Sequence, residues 1–349
     1  RMAAKMKFFF YLCFGATLSS ILHELPFLYS FISDSSKTLQ QSRTLLDEEG
    51  NVKKRRDPKL ADGCYHVFLD VGSNIGVHAR MLLEPHLYPH TGPRGKKAKF
   101  SSRKFFASQF GPEGARNNTD FCIFAFEPNP AHIPRHQEVE RVYSAMGWRY
   151  QAITAGVGDE DGSLTFYHIG KGNKELERGF TMVKSRCTHR CRPEEVPVYR
   201  LSDWIDREIH GRTIPSLTNT PADEEGRSVQ IEPRVVMKMD IEMGEWLVLP
   251  DLLTSGVLCR DIDTLLGEFH LKQFKADYPI HFPHRANWTL NTYQEAEVLK
   301  DEMFGMVERN PHCKTELVVG DDESYGTDGM PWPKPPAAGS LQKRERESF

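Results

Sequence analysis

The stretch Val67–Gly76, V-F-L-D-V-G-S-N-I-G, constrains the fold of this chain more than any other. Val67–Val71 is long enough for one buried strand; it stops at Gly72, and Gly76 follows shortly after. A buried strand that runs into a glycine-rich turn belongs to an open α/β sheet. Ligands of such sheets bind beyond the carboxyl ends of the strands, where glycines let backbone approach them. The spacing predicts a helix over Val77–Leu83 with its amino terminus aimed at that ligand.

Several ligands could suit such a turn. A dinucleotide fingerprint, G-x-G-x-x-G, falls on Gly72, Asn74 and Val77, so two of its glycines are missing. The G-K-[ST] of a P-loop is absent here. An acidic strand end followed by G-x-x-x-G, the pattern of an S-adenosylmethionine loop, fits Asp70, Gly72 and Gly76. A tight strand-to-helix turn with no ligand fits as well.

Further strands are expected. Cys122–Phe126 is apolar and ends in Glu127-Pro128-Asn129, and an acidic residue at that position can accept hydrogen bonds from ribose hydroxyls. Arg149–Val157 forms the third strand, with Asp159 just past its end. Ser163–Ile169 alternates as a hairpin arm able to pair with Val196–Tyr199, and Leu201–Ile209 reads as a helix capped by Ser202. Val235–Glu242 and Asp263–His270 are the fourth and fifth strands, with Asp240, Glu242, Glu268 and His270 near their carboxyl ends. Asp240 and Glu242 share a face if the chain stays extended. His270 reads either as part of that site or as a structural histidine bonded to backbone. Tyr293–Arg309 is a further helix, and Thr315–Val319 a last strand.

Together F-L-D-V-G-S-N-I-G, F-E-P-N-P, V-G-D-E-D-G-S-L-T-F-Y, L-S-D-W-I and K-M-D-I-E-M-G-E-W resemble the FkbM-type methyltransferase family, over roughly Val67 to His270. The resemblance implies a Rossmann-like α/β fold, a mostly parallel central sheet with helices on both faces. It also implies S-adenosylmethionine as methyl donor, with methylation of a hydroxyl oxygen. By its pattern Asp70, Gly72 and Gly76 hold the methionine end and Glu127 the ribose. Asn74 and Asp159 complete the candidate cofactor set. Asp240, Glu242 and His270 are the candidate catalytic residues, placed to orient or deprotonate an acceptor hydroxyl, and no metal is assigned. The pattern K-x-D-I-E-G-x-E is broken by Met243, which stands where the family usually has Gly.

The remainder bears on location. Phe8–Leu22 is uncharged and apolar behind Lys5 and Lys7, so residues 1–33 read as a signal anchor or a cleaved signal peptide. A polar stem over 34–61, a methyltransferase domain over 62–325 and a disordered tail over 326–349 follow. Polar insertions are expected near 88–120 and 210–233. This order describes a single-pass type II protein of the endomembrane system, the Golgi foremost, or a secreted one. The sequons at Asn117 and Asn287 agree with either location. Cys187-Thr188-His189-Arg190-Cys191 reads as a local disulfide rather than a zinc site, while Cys122 and Cys259 look buried and reduced. The expected partners are the membrane and a hydroxyl-bearing glycan or small molecule. A formal net charge of -3 gives no basis for a nucleic-acid partner. Two other functions fit the same layout: a Golgi glycosyltransferase using Asp261-Ile262-Asp263, and a domain that binds S-adenosylmethionine without turnover.

Overall fold

The computed structural model describes residues 57–88, 101–168, 180–184, 192–217, 231–271, 280–281, 289–290, 292–320 and 328–334. These lie, Asp57 apart, in one unit that runs from Pro58 onward. The apolar run Phe8–Leu22, the Cys187–Cys191 segment and the Asn287 sequon lie outside the described residues. Among the described residues no helix is long and apolar enough to cross a membrane.

Three fully buried, mainly apolar strands build the centre. β1 (His66–Val71), β2 (Phe121–Phe126) and β8 (Val235–Met239) are buried along their whole lengths, as strands covered on both faces must be. With β3 (Arg149–Ile153), β9 (Thr264–Gly267) and β12 (Glu316–Val319) they form a six-stranded sheet, ordered β12-β9-β8-β1-β2-β3. Every pairing in it is parallel. The chain moves outward from β1 through β2 to β3, then returns to β8 on the other side of β1. That reversal is the topological switch point, and it opens a crevice at the carboxyl ends of β1, β2 and β8. The fold class is therefore the expected Rossmann-like α/β arrangement.

Helix α1 (Val77–Leu83) begins where the sequence places it. Helix α3 (Ile133–Ala145) packs along the sheet through Val139, Val142 and Tyr143. Helix α2 (Ser102–Phe110) corrects the expectation of a polar insertion over 88–120. Its charges at Arg103 and Lys104 point outward, while Phe105, Phe106 and Phe110 enter the core. Phe106 packs edge-on against Phe68 of β1 and Phe110 against Phe121 of β2, with ring centroids 5.2 and 5.1 Å apart.

The stretch expected as one third strand is two. Ala155 N–H donates to the Ile153 carbonyl and turns the chain, and β4 (Gly156–Gly158) leaves for a second sheet. That sheet, ordered β4-β7-β5-β6, contains the expected hairpin of β5 (Gly162–His168) with β7 (Pro193–Arg200), plus the short β6 (Phe180–Thr181). Helix α4 (Leu201–Glu208) is not capped by Ser202, whose hydroxyl is instead paired with buried Asp251 of α5 (Glu245–Thr254). β8 ends before Asp240 and β9 before Glu268, so both fall short of the predicted lengths. Beyond α6 (Val257–Asp261), the strand pair β10 (Ile280–His281) and β11 (Thr289–Leu290) leads to α7 (Tyr293–Arg309) as predicted.

Three more expectations change. The folded unit starts at Pro58, not Asp62: Ala61 is fully buried and the Leu60 N–H donates to Glu208. Residues 328–334 of the expected disordered tail are packed in place. Asp328 accepts from buried Arg80 at 2.8 Å and pairs with Arg135, and both guanidiniums lie over the Trp332 ring. Cys122 and Cys259 are not reduced thiols, since the disulfides Cys64–Cys122 and Cys259–Cys313 hold them. Of the second expected insertion, residues 218–230 lie outside the described set, while Tyr65 donates to the Ile231 carbonyl and ties one end to the fold.

Candidate active site

A cleft of about 590 Å³, partly open to solvent, lies at the switch point. The turn after β1 supplies Gly72 and Asn74, and the turn after β2 supplies Glu127, Pro128, Asn129 and His132. The second sheet adds an apolar wall of Val157, Phe166 and Phe180, and the turn after β8 adds Asp240, Ile241 and Glu242.

The turns are locked by backbone contacts that only certain residues permit. Gly72 has φ 79°, and a Cβ there would sit 1.8 Å from the Asp240 carbonyl oxygen. Glycine at 72 thus lets the β1 turn lie against the β8 turn. Glu127 ties the β1 turn to the β2 turn: Oε2 accepts from the Asn74 N–H at 2.7 Å and Oε1 from the Asn129 N–H at 2.8 Å. His136 adds a further brace. Its Nε2–H donates to the Asn74 carbonyl at 2.6 Å, leaving Nδ1 to accept from the Tyr150 hydroxyl. Burial lowers the His136 pKa, in keeping with the neutral ring.

Strain gathers at the same place. Among the described residues the non-glycine positions with positive φ are Asn74, Glu242 and Met243, at 50°, 53° and 87°. Such conformations cost on the order of 1–3 kcal/mol each and persist where the surroundings impose them. Met243 holds this conformation with a side chain that is completely buried. The Glu242–Met243 turn breaks the extended run, yet it returns Glu242 to the side on which Asp240 lies.

Beside Asp240 and Glu242 lies a cluster of carboxylates around one imidazole. His270 Nδ1–H donates to Glu245 Oε1 at 2.5 Å. Its Nε2 faces Asp240, Glu242 and Glu268 at 3.7, 3.5 and 3.8 Å. Burial works against the charged ring, but Glu245, Asp240 and Glu268 outweigh it and raise the His270 pKa to about 9. His270 therefore holds its proton at neutral pH and is not the free base in this state. Asp240 Oδ2 also accepts from the buried Lys238 ammonium at 3.1 Å. Burial opposes that charge too, and Asp240 and Asp70 keep the Lys238 pKa above its ordinary value.

The structure thus brings Gly72, Asn74, Glu127, Asp240 and Glu242 together on one cleft, with His270 beside the last two. Three candidate cofactor residues do not line it. Asp70 is fully buried beneath the cleft, where desolvation, offset in part by Lys238, raises its pKa to about 7. Gly76, at φ 73°, makes room for the Tyr150 hydroxyl, which a Cβ would approach to 2.9 Å. Asp159 lies past β4, where its charge bears on Asp251. Sequence reading missed Asn129, whose buried Nδ2 has no hydrogen-bond partner among the described residues, and Glu245, fully buried at the start of α5. The F-E-P-N-P motif holds the first and K-M-D-I-E-M-G-E-W the second. The D-x-D of the glycosyltransferase reading is engaged elsewhere. Asp261 pairs with His210 and Arg260, and Asp263 accepts from the Val235 N–H at the amino end of β8.

No family model matches the chain, and no curated protein matches it. Among solved structures the chain is similar to the methyltransferase FkbM from Methylobacillus flagellatus KT, at 14% identity and a TM-score of 0.26. The match covers 54% of this chain and 29% of that one, so it spans less than a third of the other protein's length.

Proposed function

We propose that this chain is an S-adenosylmethionine-dependent methyltransferase that acts on a hydroxyl oxygen of a glycan or small molecule in the secretory pathway. One observation carries the reading: a single cleft joins a ribose-type acidic turn and an apolar wall to a cluster of carboxylates. The residues fit the cofactor. Glu127 uses its two backbone bonds to hold the turns, and a carboxylate still has lone pairs left for ribose hydroxyls. Asn129 Nδ2, without a hydrogen-bond partner among the described residues, offers a buried donor at the same end. Val157, Phe166 and Phe180 supply an apolar surface for a flat base, and Gly72 and Asn74 face the methionine end.

S-adenosylmethionine, when bound, supplies a methyl group already activated on a sulfonium sulfur. The protein's task is then to align an acceptor with it and exclude competing water. Asp240 and Glu242 present carboxylates to the acceptor side, where one of them orients the hydroxyl and takes its proton. The disulfides Cys64–Cys122 and Cys259–Cys313, with the exposed sequon asparagine Asn117, support an oxidising compartment.

Calorimetry tests the proposal. S-adenosylmethionine and its demethylated product should bind in the micromolar range, and sugar nucleotides should not. Binding of a sugar nucleotide without any binding of S-adenosylmethionine would overturn it in favour of glycosyl transfer. Cofactor binding with no methyl transfer to any hydroxyl-bearing acceptor would leave a domain that binds without turnover.

A further inference from the structure

We infer that Thr181 is a positioning residue that couples the apolar wall of the cleft to the turn carrying Asp240 and Glu242, so that a ligand seated against the wall also fixes that turn. The turn needs a hold from outside itself. Glu242 and Met243 both have left-handed backbones, at φ 53° and 87°, and non-glycine residues keep such conformations where the surroundings impose them.

The hold comes from two sides. From the parallel sheet, Gly72 lets the β1 turn lie against the Asp240 carbonyl, and the Asp240 N–H donates to the Val71 carbonyl at 3.0 Å. These contacts grip the chain where it leaves β8. From the second sheet, the Thr181 hydroxyl donates to the Glu242 carbonyl at 2.6 Å and accepts from the Val183 N–H at 3.1 Å. An N–H can only donate, so the single hydroxyl proton is directed at Glu242. Thr181 is completely buried, which shields both bonds from water.

Thr181 also stands between two residues of the wall. Its chain neighbours Phe180 and Met182 both line the cleft, and Phe180 stacks on Phe166 with ring centroids 5.2 Å apart. β6 is held in the second sheet by antiparallel pairing with β5, Thr181 opposite Tyr167. A ligand that packs on Phe180 and Met182 therefore restricts the residue whose hydroxyl holds the Glu242 carbonyl. Ordering one element lowers the cost of ordering the other, which couples two sites without a change of shape. The coupling is reciprocal, so whatever fixes the Glu242 turn also firms the wall. In the proposed reaction, a cofactor bound first presents the acceptor with a carboxylate already in place. That use rests on the proposed S-adenosylmethionine site, while the hold on the turn does not.

Amide hydrogen exchange of the full chain, read by mass spectrometry with fragmentation to single residues, tests both parts. The reporter is the Gly244 N–H, which donates to the Ile241 carbonyl across the turn at 3.1 Å. Thr181→Val keeps the shape of the side chain and removes both of its hydrogen bonds, whereas Thr181→Ser keeps the hydroxyl. Without ligand, Gly244 should exchange about tenfold faster in Thr181→Val, as the loss of one such bond implies, with the β1 and β8 amides unchanged. Thr181→Ser should stay within about threefold of wild type. Saturating S-adenosylmethionine should slow Gly244 severalfold in wild type and leave it unchanged in Thr181→Val, whose cofactor affinity by calorimetry stays within about threefold of wild type. Unchanged Gly244 exchange in Thr181→Val, equal acceleration of the β1 and β8 amides, or equal acceleration in Thr181→Ser would overturn the inference. If S-adenosylmethionine binds wild type without slowing Gly244, the coupling is wrong and the cofactor reading stands. If it does not bind, and Thr181→Val still frees Gly244, the cofactor reading falls and the hold on the turn stands.

Discussion

Asp70 gives the sharpest measurable consequence of the fold, because the acidic residue that the sequence assigns to the cofactor is shut beneath the cleft. It is 0% exposed, and neither carboxylate oxygen has a hydrogen-bond partner among the described residues. Lys238 favours the charged form, Asp240 and Glu127 oppose it, and burial dominates, raising the pKa from 3.8 to about 7. The folded protein therefore keeps a proton on Asp70 that the unfolded chain gives up near pH 4. The contribution is fully present below pH 4 and is lost as pH rises to about 7. Each pH unit between those values is worth about 1.4 kcal/mol, so the whole window is worth about 4 kcal/mol.

Asp70→Asn imitates the protonated acid in shape and charge. Its advantage over wild type should be about 1 kcal/mol at pH 4.5 and grow to about 4 kcal/mol at pH 8. Urea unfolding in chelator-treated buffer at half-unit pH steps reads the difference. Buried histidines pull the other way: His66, lowered to about 4 by burial, costs stability as pH falls below 6.5. That slope is common to both proteins and cancels in the subtraction. The cofactor affinity of Asp70→Asn should stay within threefold of wild type. A pH-independent difference, or a loss of cofactor binding with stability unchanged, would refute the argument and return Asp70 to the cleft.

Four further outcomes follow from the same contacts. Glu127→Ala removes two charge-assisted bonds between turns, each worth about 1.5–3 kcal/mol, so urea unfolding should show a clear loss of stability alongside a tenfold to hundredfold loss of cofactor affinity by calorimetry. Asp240→Asn should cut single-turnover methyl transfer by about 10²–10⁴ while cofactor affinity changes little. Phe106→Ala should cost about 3–5 kcal/mol in urea unfolding, because α2 is part of the core and not a solvated insertion. Replacing Cys64 and Cys122 by Ser should cost about 4 kcal/mol, from the entropy of the chain closed across their sequence separation of 58, measured against wild type with and without reductant.

What could be read in advance was whatever local pattern alone decides. β1, β2 and β8 are buried on both faces, so they appear as mainly apolar runs, broken only at His66, Asp70 and Lys238, and a glycine-rich turn after the first of them fixes the sheet type and the end that carries the cleft. Helix α7 was legible for a related reason: its Thr292 cap, accepting from the Glu295 N–H, opens a long periodic segment. Helix α2 was hidden because it stands in a stretch that reads as basic and rich in Gly, Pro and Ser, while its apolar core contacts rest on Phe105, Phe106 and Phe110. The break between β3 and β4 depends on one turn at Ala155 inside a run that reads as continuous. Cysteine pairing depends on which strands and helices become neighbours, and no spacing rule carries that information.

The cleft itself follows a similar division. Gly72, Glu127 and Asp240 stand at strand ends, and strand ends converge wherever the sheet reverses direction, so their meeting was implied by the strand order. Asp70 was misplaced because a strand-end motif does not say whether a side chain projects into the cleft or below it. The Asp70–Lys238 register settles that, since it places both side chains in the buried layer under the turns. Glu245 and Glu268 converge on His270 for a different reason. The left-handed turn at Glu242 and Met243 shortens the path from β8 to α5 and sets Glu245 behind the ring, while β9 ends early enough to leave Glu268 and His270 in the loop beside it. A methionine in a glycine's position is therefore part of how the carboxylate cluster is assembled, and the strain it carries is met by burying its side chain completely.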